Sequence, residues 1–294
     1  MPEVETVRRR LAPLLEGRRF ERVEIGDPRL TRPHDPFETA RELEGERVLT
    51  VDRRGKYLIV RFESGRALLV HLRMTGSLRH AAEGTLPEDP HRRAVVTLDD
   101  GSDVAYRDVR RFGTWLLLEP SDVDGYLEAR VGPEPLGPAY RSRHLAARLA
   151  GRRVAIKAAL LDQRTVAGVG NIYADEALWR ARLHPLTPAA ELTAEEVKAV
   201  YGAVRAVLQA GIRRQGSTLR DYRLTDGTPG TAQERFEVYG RAGEPCRRCG
   251  TAIDKIRVAG RGTWYCPGCQ VYAAQAAASR SSSRPSRSRR QSSV

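Results

Sequence analysis

Apolar residues recur at a helical spacing from the first residues of the chain onward. Val4, Val7 and Leu11 lie three or four positions apart, which predicts a helix that begins near Pro2. Proline is favoured at the first position of a helix because its missing N–H would have no partner there. If Met1 is removed, the same residue is a secondary amine, and an α-amine that titrates near pH ~8 is partly unprotonated at neutral pH. Two interpretations of Pro2 are therefore open at this point, a helix start and a nucleophile.

Short apolar runs separated by glycine-containing turns fill the chain from about residue 17 to 118. The runs flank turns such as Glu63-Ser64-Gly65 and Asp99-Asp100-Gly101, a pattern typical of antiparallel strands joined by hairpins. We therefore predict an N-terminal β-sandwich domain over 1–130, with the leading helix packed against it. Residues 131–140 are rich in proline and glycine and predict a linker.

Helical periodicity returns after the linker. Residues 142–163 and 193–216 carry apolar side chains at the 3.6-residue period, and Thr193 ahead of two glutamates is a helix cap. This predicts a helical domain over 141–240, followed by a compact cysteine module over 241–270. Residues 271–294 hold Ala, Ser and Arg with almost no large apolar side chain, which predicts a disordered basic tail. The expected fold class is α+β, in several domains.

The charge balance indicates a polyanionic partner. The chain of 294 residues carries a net charge of +13, and five arginines within the last fifteen residues leave +8 on the rest. A basic body of this kind favours nucleic acid, with a solvated basic face on an ordinary cytosolic protein as the alternative. There is no run of roughly 18 apolar residues and no apolar core of a signal peptide. We therefore expect a cytoplasmic protein that does not enter the membrane.

The four cysteines have the spacing of a metal site. Cys246 and Cys249 form one C-x2-C pair, Cys266 and Cys269 a second, and sixteen residues separate the pairs. Two such turns supply a closed tetrahedral site for one structural Zn²⁺. Two disulfides are the alternative, but nothing in the sequence indicates an oxidising compartment. The zinc would hold a β-hairpin whose loop presents Arg261 between two glycines, where it can contact a phosphate.

A glycine-rich turn predicts a second phosphate contact. Gly168 and Gly170 directly precede a helix that we expect to begin near Asn171. Small residues let a ligand approach the backbone, and the N–H groups of a helix N-terminus favour an anion. The side chain of Asn171 would add a donor to the same phosphate.

Two further segments place an apolar side chain near arginines and a glycine. Met74 precedes a Thr-Gly turn, and Arg110, Arg111 and Phe112 directly precede Gly113. An apolar side chain at a loop tip beside cations is suited to opening a base step in a duplex. Composition alone favours the other interpretation, in which Met74 and Phe112 are ordinary core residues.

Two isolated residues complete the set of candidates. Lys56 follows a glycine at the start of a predicted strand, where it can be a surface residue, a phosphate contact or a base. His91 lies in a proline-rich loop among arginines. Contact with an anion is plausible for His91, and a solvated loop histidine is the default.

Taken together, these segments resemble those of the bacterial formamidopyrimidine-DNA glycosylase family. The matching segments follow the family's order and cover nearly the whole chain to Gln270: PEVETVRR, RRGKYL, HLRMTGSL, DVRRFGTW, GVGNIYADEALW, VYGRAGEPC and GRGTWYCPGCQ. The resemblance implies a monomeric base-excision repair enzyme that acts on double-stranded DNA. It would excise 8-oxoguanine and formamidopyrimidines and cleave abasic sites by β,δ-elimination. The implied architecture is a β-sandwich, a helix–two-turn–helix domain and a zinc-ribbon hairpin, with DNA in the cleft between the domains.

The resemblance also implies catalytic roles. Pro2 would be the Schiff-base nucleophile and Glu3 the general acid. Lys56 matches the lysine assigned to proton transfer in β-elimination, and Arg261 matches the hairpin arginine assigned to phosphate contact and the δ step.

DNA contacts follow from the same resemblance. Asn171 would share the phosphate contact, and His91 matches the family's DNA-contacting loop histidine. Met74, Arg110 and Phe112 match the trio that fills the gap left by the extruded lesion. Arg111, beside them, is a further candidate for DNA binding.

The first residues depart from the family's usual start. Family members begin Met-Pro-Glu-Leu-Pro-Glu-Val-Glu-Thr-Val, whereas this chain begins Met-Pro-Glu-Val-Glu-Thr-Val. Either Pro2 is the nucleophile beside a small deletion, or Pro2 and Glu3 match the family's inner proline and glutamate. Three extended residues span about 10 Å, too far for a misplaced nucleophile to react. We expect the true start to lie upstream, and we keep Pro2 and Glu3 as candidates.

Two alternative functions remain open from the sequence. One is an endonuclease VIII-like glycosylase that acts on oxidised pyrimidines. The other is a non-catalytic DNA-binding homologue that retains the phosphate contacts and the zinc hairpin but lacks the nucleophile.

Overall fold

Two four-stranded antiparallel sheets form the N-terminal part of the computed structural model, which describes residues 1–272. The strands are β1 (Phe20–Ile25), β2 (Val48–Arg54), β3 (Tyr57–Phe62), β4 (Ala67–His71), β5 (Gly76–Ala81), β6 (Arg92–Leu98), β7 (Asp103–Asp108) and β8 (Thr114–Leu118). One sheet has the order β1-β6-β7-β5 and the other β2-β3-β4-β8. The predicted turns at 63–65 and 99–101 join β3 to β4 and β6 to β7. The basic tail over 273–294 lies outside the described residues.

The predicted leading helix is confirmed as α1 (Pro2–Leu15). Its apolar face, which includes Val4, Val7 and Leu11, is buried in one core with the inward-facing side chains of both sheets. Alternate strand residues point to opposite faces of a sheet, so each strand contributes one row of apolar side chains to this core. The helix thereby fixes the start of the chain against the sandwich.

Two short helices fall outside the predicted pattern. The interpretation of residues 17–118 as strands and turns alone is wrong at α2 (Pro36–Leu43), which begins where the Asp35 carboxylate accepts the N–H groups of Phe37 and Glu38. An Asp-Pro pair is a helix-start signal, and it was present in the sequence. The second helix, α3 (Pro120–Glu128), covers the outer face of the β2-β3-β4-β8 sheet with Val123 and Leu127.

The second domain consists of four helices. They are α4 (Ser142–Leu149), α5 (Ile156–Leu161), α6 (Asn171–Ala181) and α7 (Ala194–Arg213). The helical pattern over 142–163 is interrupted after α4, where Gly151 adopts a φ of +71° that the helix cannot accommodate. The predicted cap of α7 is confirmed, because Thr193 and Glu196 bond each other's backbone N–H groups. None of the helices within residues 1–272 is long and apolar enough to cross a membrane.

A two-stranded hairpin follows the helical domain. Its strands are β9 (Asp254–Val258) and β10 (Arg261–Tyr265). The two turn residues between them, Ala259 and Gly260, both have positive φ values of 48° and 74°, as a tight hairpin turn requires. Beyond the hairpin, the ring of Tyr272 stacks on His184 at 5.1 Å. The described start of the predicted tail therefore packs against the helical domain.

Candidate active site

The start of helix α1 is buried between the two domains. The α-amine of Met1 donates a hydrogen bond to the Gly168 carbonyl at 2.9 Å and lies 3.6 Å from Oε2 of Glu3. Gly168 has a φ of +79°, and a Cβ at this position would come within 2.6 Å of the Met1 Cβ, so the approach requires glycine. Burial, partly opposed by Glu3, lowers the pKa of this amine to about 5. Pro2 is the first helical residue and is itself buried.

The Glu3 carboxylate is held from two sides. It accepts hydrogen bonds from the Tyr173 hydroxyl at 2.9 Å and from the Ser217 N–H at 3.2 Å. The Tyr222 hydroxyl bonds the Glu3 backbone carbonyl at 3.3 Å. A segment after α7, residues 216–231, thus lies against the start of α1, and it fixes the orientation of this carboxylate.

Lys56 lies in the turn between β2 and β3, close to Gly170. Burial, together with the charges of Arg261 and Arg73, lowers the pKa of Lys56 to about 8 although Glu3 opposes the shift. A lysine with this pKa exchanges its proton readily near neutral pH. His71, at the end of β4, was not among the sequence candidates. Its pKa is lowered to about 3 by burial and by the nearby cations, so its ring is neutral.

The predicted phosphate-binding residues meet at one place. The Asn171 side-chain amide donates to the Gly262 carbonyl at 3.0 Å, which ties the start of α6 to the hairpin beside Arg261. The Arg261 side chain is exposed, and Oδ1 of Asn171 has no hydrogen-bond partner among the described residues. The structure therefore brings Asn171, Arg261 and Lys56 close to the start of α1.

A buried ion pair holds the hairpin in this position. Nζ of Lys157 lies 2.7 Å from Oδ1 of Asp175, and both side chains are fully buried. Lys157 also donates to the Thr263 hydroxyl at 2.7 Å, and Asp175 accepts the Trp264 N–H at 3.1 Å. Sequence patterns did not reveal this pair, since a lysine and an aspartate on different helices carry no local signal.

Met74 and Phe112 lie on two loops that are bonded to each other, since the Arg110 N–H donates to the Thr75 hydroxyl at 3.0 Å. Their side chains are 59% and 52% exposed, so the expectation from composition that they are core residues is wrong. The buried Asp108 carboxylate accepts hydrogen bonds from the Thr75 hydroxyl and, at 2.7 Å, from the Gly113 N–H. Asp108 thus joins the two loops into one unit.

Cations flank this apolar tip. The Arg110 guanidinium lies 4.7 Å from the centre of the Phe112 ring, a favourable cation–π distance. Arg111 forms a two-pronged salt bridge to Asp27 at 2.6 and 2.7 Å, which pairs its charge within the protein. His91 lies in the turn directly before β6, with its Nδ1 3.4 Å from the Arg93 guanidinium.

The four cysteines converge as the spacing predicted. Their Sγ atoms all lie within 4.8 Å of one another, and three of the pairs are separated by 3.4–3.9 Å. Sulfurs about 2.3 Å from a tetrahedral Zn²⁺ lie about 3.8 Å apart, so this donor set fits zinc. The indole N–H of Trp179 points at the Cys246 sulfur at 3.4 Å. The residues form a site for one structural Zn²⁺ that fastens the hairpin to α6.

Comparison with known proteins agrees with this architecture. Residues 1–115 match the formamidopyrimidine-DNA glycosylase N-terminal domain, residues 131–223 the H2TH domain of the same enzyme, and residues 243–271 a zinc finger found in FPG and IleRS. The formamidopyrimidine-DNA glycosylase of Symbiobacterium thermophilum is 47% identical over 289 residues, covering 98% of this chain and 94% of that protein. The Bacillus subtilis enzyme of the same name is 44% identical, covering 92% and 98%.

Solved structures of enzymes with the same name are also similar to this chain. A complex of the Lactococcus lactis enzyme with DNA containing an abasic site has a TM-score of 0.86 at 37% identity, covering 92% of this chain and 99% of that one. The enzyme of Thermus thermophilus has a TM-score of 0.82 at 45% identity, covering 92% and 98%.

The sandwich, the helical domain, the zinc hairpin and the site between them define a DNA glycosylase of base-excision repair. Within that class, the chain belongs to the formamidopyrimidine-DNA glycosylase family.

Proposed function

We propose that this protein excises 8-oxoguanine and formamidopyrimidines from double-stranded DNA and then cleaves the strand at the resulting abasic site. The observation that carries the proposal is the arrangement around the cleft: the α1 start, Glu3 and Lys56 lie beside Asn171 and Arg261. Relatives support the choice of substrate, since the Lactococcus lactis enzyme has been crystallised with Fapy-dG DNA and with abasic-site DNA.

The exposed apolar tip suits the first step. A base inside a duplex must rotate out before its glycosidic bond is accessible, which costs a few kcal/mol. Met74 and Phe112 would enter the vacated space while Arg110 contacts the opposite strand. His91 would contribute a DNA contact nearby. Arg111 would add one only through the part of its guanidinium that the salt bridge to Asp27 leaves exposed.

The covalent step needs an amine at the start of α1. Once Met1 is removed, that amine is the secondary amine of Pro2, and Glu3 beside it is the general acid. The amine attacks C1′, the bond from C1′ to the base breaks, and the base leaves with a proton. The amine loses its own proton as the sugar ring opens, and an iminium forms between nitrogen and C1′.

Strand cleavage follows from the same link. The iminium acidifies the C2′–H bond, and Lys56 moves the proton as the C3′–O bond breaks. Asn171 and Arg261 hold the phosphate during this β step, and Arg261 assists the δ step that releases the second phosphate.

Borohydride reduction of the iminium tests the proposal directly. On a duplex with 8-oxoguanine opposite cytosine, a covalent adduct that peptide mapping assigns to Pro2 would support the proposal and show that the shortened start still reaches C1′. No adduct with the chain as printed, together with tight binding to an abasic analogue, would reject Pro2 as the nucleophile and favour the non-catalytic alternative. A chain that begins Met-Pro-Glu-Leu-Pro-Glu-Val would then show whether a proline three residues upstream restores trapping.

The preferred lesion is a separate question. One of the related Lactococcus lactis structures holds DNA with an oxidised pyrimidine, which makes the endonuclease VIII-like activity the second candidate. Parallel single-turnover assays on 8-oxoguanine and thymine-glycol duplexes decide between them. Faster excision of thymine glycol would reject the purine assignment.

Replacing Phe112 by alanine should slow excision more than strand cleavage. Without the ring, part of the flipping cost is no longer offset, and we expect 8-oxoguanine excision to fall about tenfold, or about 1.4 kcal/mol. Cleavage of a preformed abasic site should change less, because no base has to be unstacked. Phe37→Ala, on α2 and 77% exposed, is the matched control. Equal losses in both assays would contradict the role of the ring.

The proposal extends to the setting of the reaction. A bacterial enzyme that repairs chromosomal DNA works in the cytoplasm, and one chain carries every residue named above. We therefore propose a monomer, and a sedimentation experiment at assay concentration checks this state.

A further inference from the structure

Glu134, in the linker between the two domains, bonds directly to the turn that carries Lys56. Its carboxylate accepts the backbone N–H of Gly55, the residue immediately before Lys56. The same carboxylate accepts two parallel hydrogen bonds of 3.0 Å from the guanidinium of Arg53 on β2, so three donors of the β2–β3 hairpin converge on it. A two-pronged pairing of this kind fixes orientation as well as distance.

Arg53 extends the contact to the first helix. Its Nε donates to Oε2 of Glu5 on α1 at 3.1 Å, and the side chains of Arg53 and Glu5 are each 11% exposed. Arg53 also bonds the Gly55 carbonyl at 3.0 Å. The start of α1 and the Lys56 turn are therefore held by one guanidinium whose other partner is Glu134.

The linker itself is bonded to the loop before α6. The Gly132 N–H donates to the Gln163 carbonyl at 2.8 Å, and the Ala167 N–H donates to the Pro133 carbonyl at 3.0 Å. A Cβ on Gly132 would approach the Arg164 carbonyl to 2.2 Å, which shows how closely the two segments run. This loop continues into Gly168 and Asn171, which contact the Met1 amine and the hairpin.

We propose that Glu134 is a positioning residue that holds the Lys56 turn in register with helix α1 and with the Gly168–Asn171 loop. Three separate parts of the chain supply the site, and the linker carboxylate lies where they meet. The expected effect of Glu134 on the rate of strand cleavage rests on the proposed function. The effect of Glu134 on the position of Lys56 can be measured without any reaction.

The informative variant is Glu134→Gln, which keeps the shape of the side chain. Its amide has one acceptor oxygen instead of two. If that oxygen keeps the bonds to the Gly55 N–H and Nη1 of Arg53, the NH₂ group faces Nη2 of Arg53, donor against donor, and if the amide is reversed the bond to Gly55 is lost. In either orientation the two-pronged, charged pairing with Arg53 is broken. Asp52→Asn is the matched control. Asp52 precedes Arg53 on the same strand and pairs with Arg61 at 3.3 Å, but its side chain is 53% exposed.

The first readout is the pKa of Lys56, measured by NMR titration of the lysine side chains, because this pKa depends on how the Lys56 side chain is placed among its neighbours. The chain has only four lysines, at 56, 157, 198 and 255, so each signal can be assigned by a Lys→Arg variant. The groups that face Lys56 are Glu3 of α1, Arg73 and His71 at the end of β4, the Met1 amine and Arg261 of the hairpin. None of them is altered in Glu134→Gln. We expect the pKa of Lys56 alone to rise by about one unit as the loosened turn becomes hydrated.

Single-turnover cleavage of an abasic duplex gives the second readout. We expect Glu134→Gln to lower the rate about tenfold, because small displacements of a reacting group are costly, while Kd for an abasic analogue changes less than about twofold. Glu134→Asp keeps a carboxylate that can pair with Arg53, but its shorter side chain moves that carboxylate away from the Gly55 N–H. It should change the Lys56 pKa and the cleavage rate in the same direction but by less. Asp52→Asn should change neither readout.

The outcomes separate this inference from the proposed function. An unchanged Lys56 pKa in both Glu134 variants, or equal shifts at all four lysines, would overturn the positioning role. A shift confined to Lys56 without any loss of cleavage rate would support the positioning role and contradict the assignment of proton transfer to Lys56. If Glu134→Gln fails to fold, Glu134→Asp provides the same comparison.

Discussion

Lys56→Met should lower the rate of strand cleavage at a preformed abasic site by about 10³-fold, within the range expected for loss of a positioned proton-transfer group. Methionine preserves the length and apolar stem of the side chain but carries no proton. Because the pKa of Lys56 is about 8, both of its protonation states are populated near neutral pH, as proton transfer requires. DNA binding should weaken only slightly, since one cation among many is removed.

The measurement is single-turnover cleavage followed by rapid quench, with Kd for an abasic analogue determined in parallel. Lys198→Met is the control, because Lys198 is exposed on α7. A Lys56→Met rate within about threefold of the parent would assign the proton transfer elsewhere. His71, with its lowered pKa of about 3, would then be the next residue to replace.

Cys266→Ala should abolish the zinc site and with it the hairpin that carries Arg261. Cys266 is fully buried, and a module this small depends on its metal for folding. We expect Kd for abasic-site DNA to rise about 100-fold, or about 2.7 kcal/mol. This is close to the roughly 3 kcal/mol expected for the loss of two charge-assisted hydrogen bonds to phosphate at about 1.5 kcal/mol each, one from Arg261 and one from the displaced Asn171.

Metal analysis and binding titrations check this expectation together. The parent should hold one zinc per chain and Cys266→Ala none. Arg257→Ala, exposed on β9, keeps the ligands and should keep both zinc and affinity. Unchanged DNA binding by a zinc-free variant would show that the hairpin does not contribute to affinity.

Local signals were sufficient where neighbours in sequence determine the structure. The cysteine spacing predicted the metal site, apolar periodicity predicted α1 and α7, and Thr193 marked the start of α7. In α1 and α7 the residues that interact lie within one helix of each other. In the cysteine module the spacing of the ligands along the chain determines how they can bind the metal.

Long-range contacts account for most of what the sequence did not predict. Glu134 lies 79 residues from Gly55, and Tyr173 lies 170 residues from Glu3. The periodicity of apolar residues carries no information about contacts between residues so far apart in the sequence. The exposure of Phe112 is a similar case, because an aromatic residue before a glycine fits a core strand or a loop tip equally well, and only the buried Asp108 beside it decides.

Helix ends and loops were also predicted poorly from the sequence. A single periodic stretch was divided by Gly151, since a helix register can continue in sequence while the backbone turns away. The 216–231 segment, rich in glycine and threonine, carried no prediction beyond its place in the helical domain. It proved to contact Glu3 through Ser217 and Tyr222.

The Asp108 bridge between the Met74 and Phe112 loops has a consequence for how the enzyme searches DNA. Because one buried carboxylate binds both loops, the backbone of the two loops is held together before DNA arrives. If Met74 and Phe112 enter a base step as proposed, the loops lose little conformational entropy in that event. The two joined loops would then present the same backbone shape to every base step of the duplex. Differences in how readily the tip enters would then come from the stacking and deformability of the DNA itself, and weakly stacked steps would be opened before well-stacked ones.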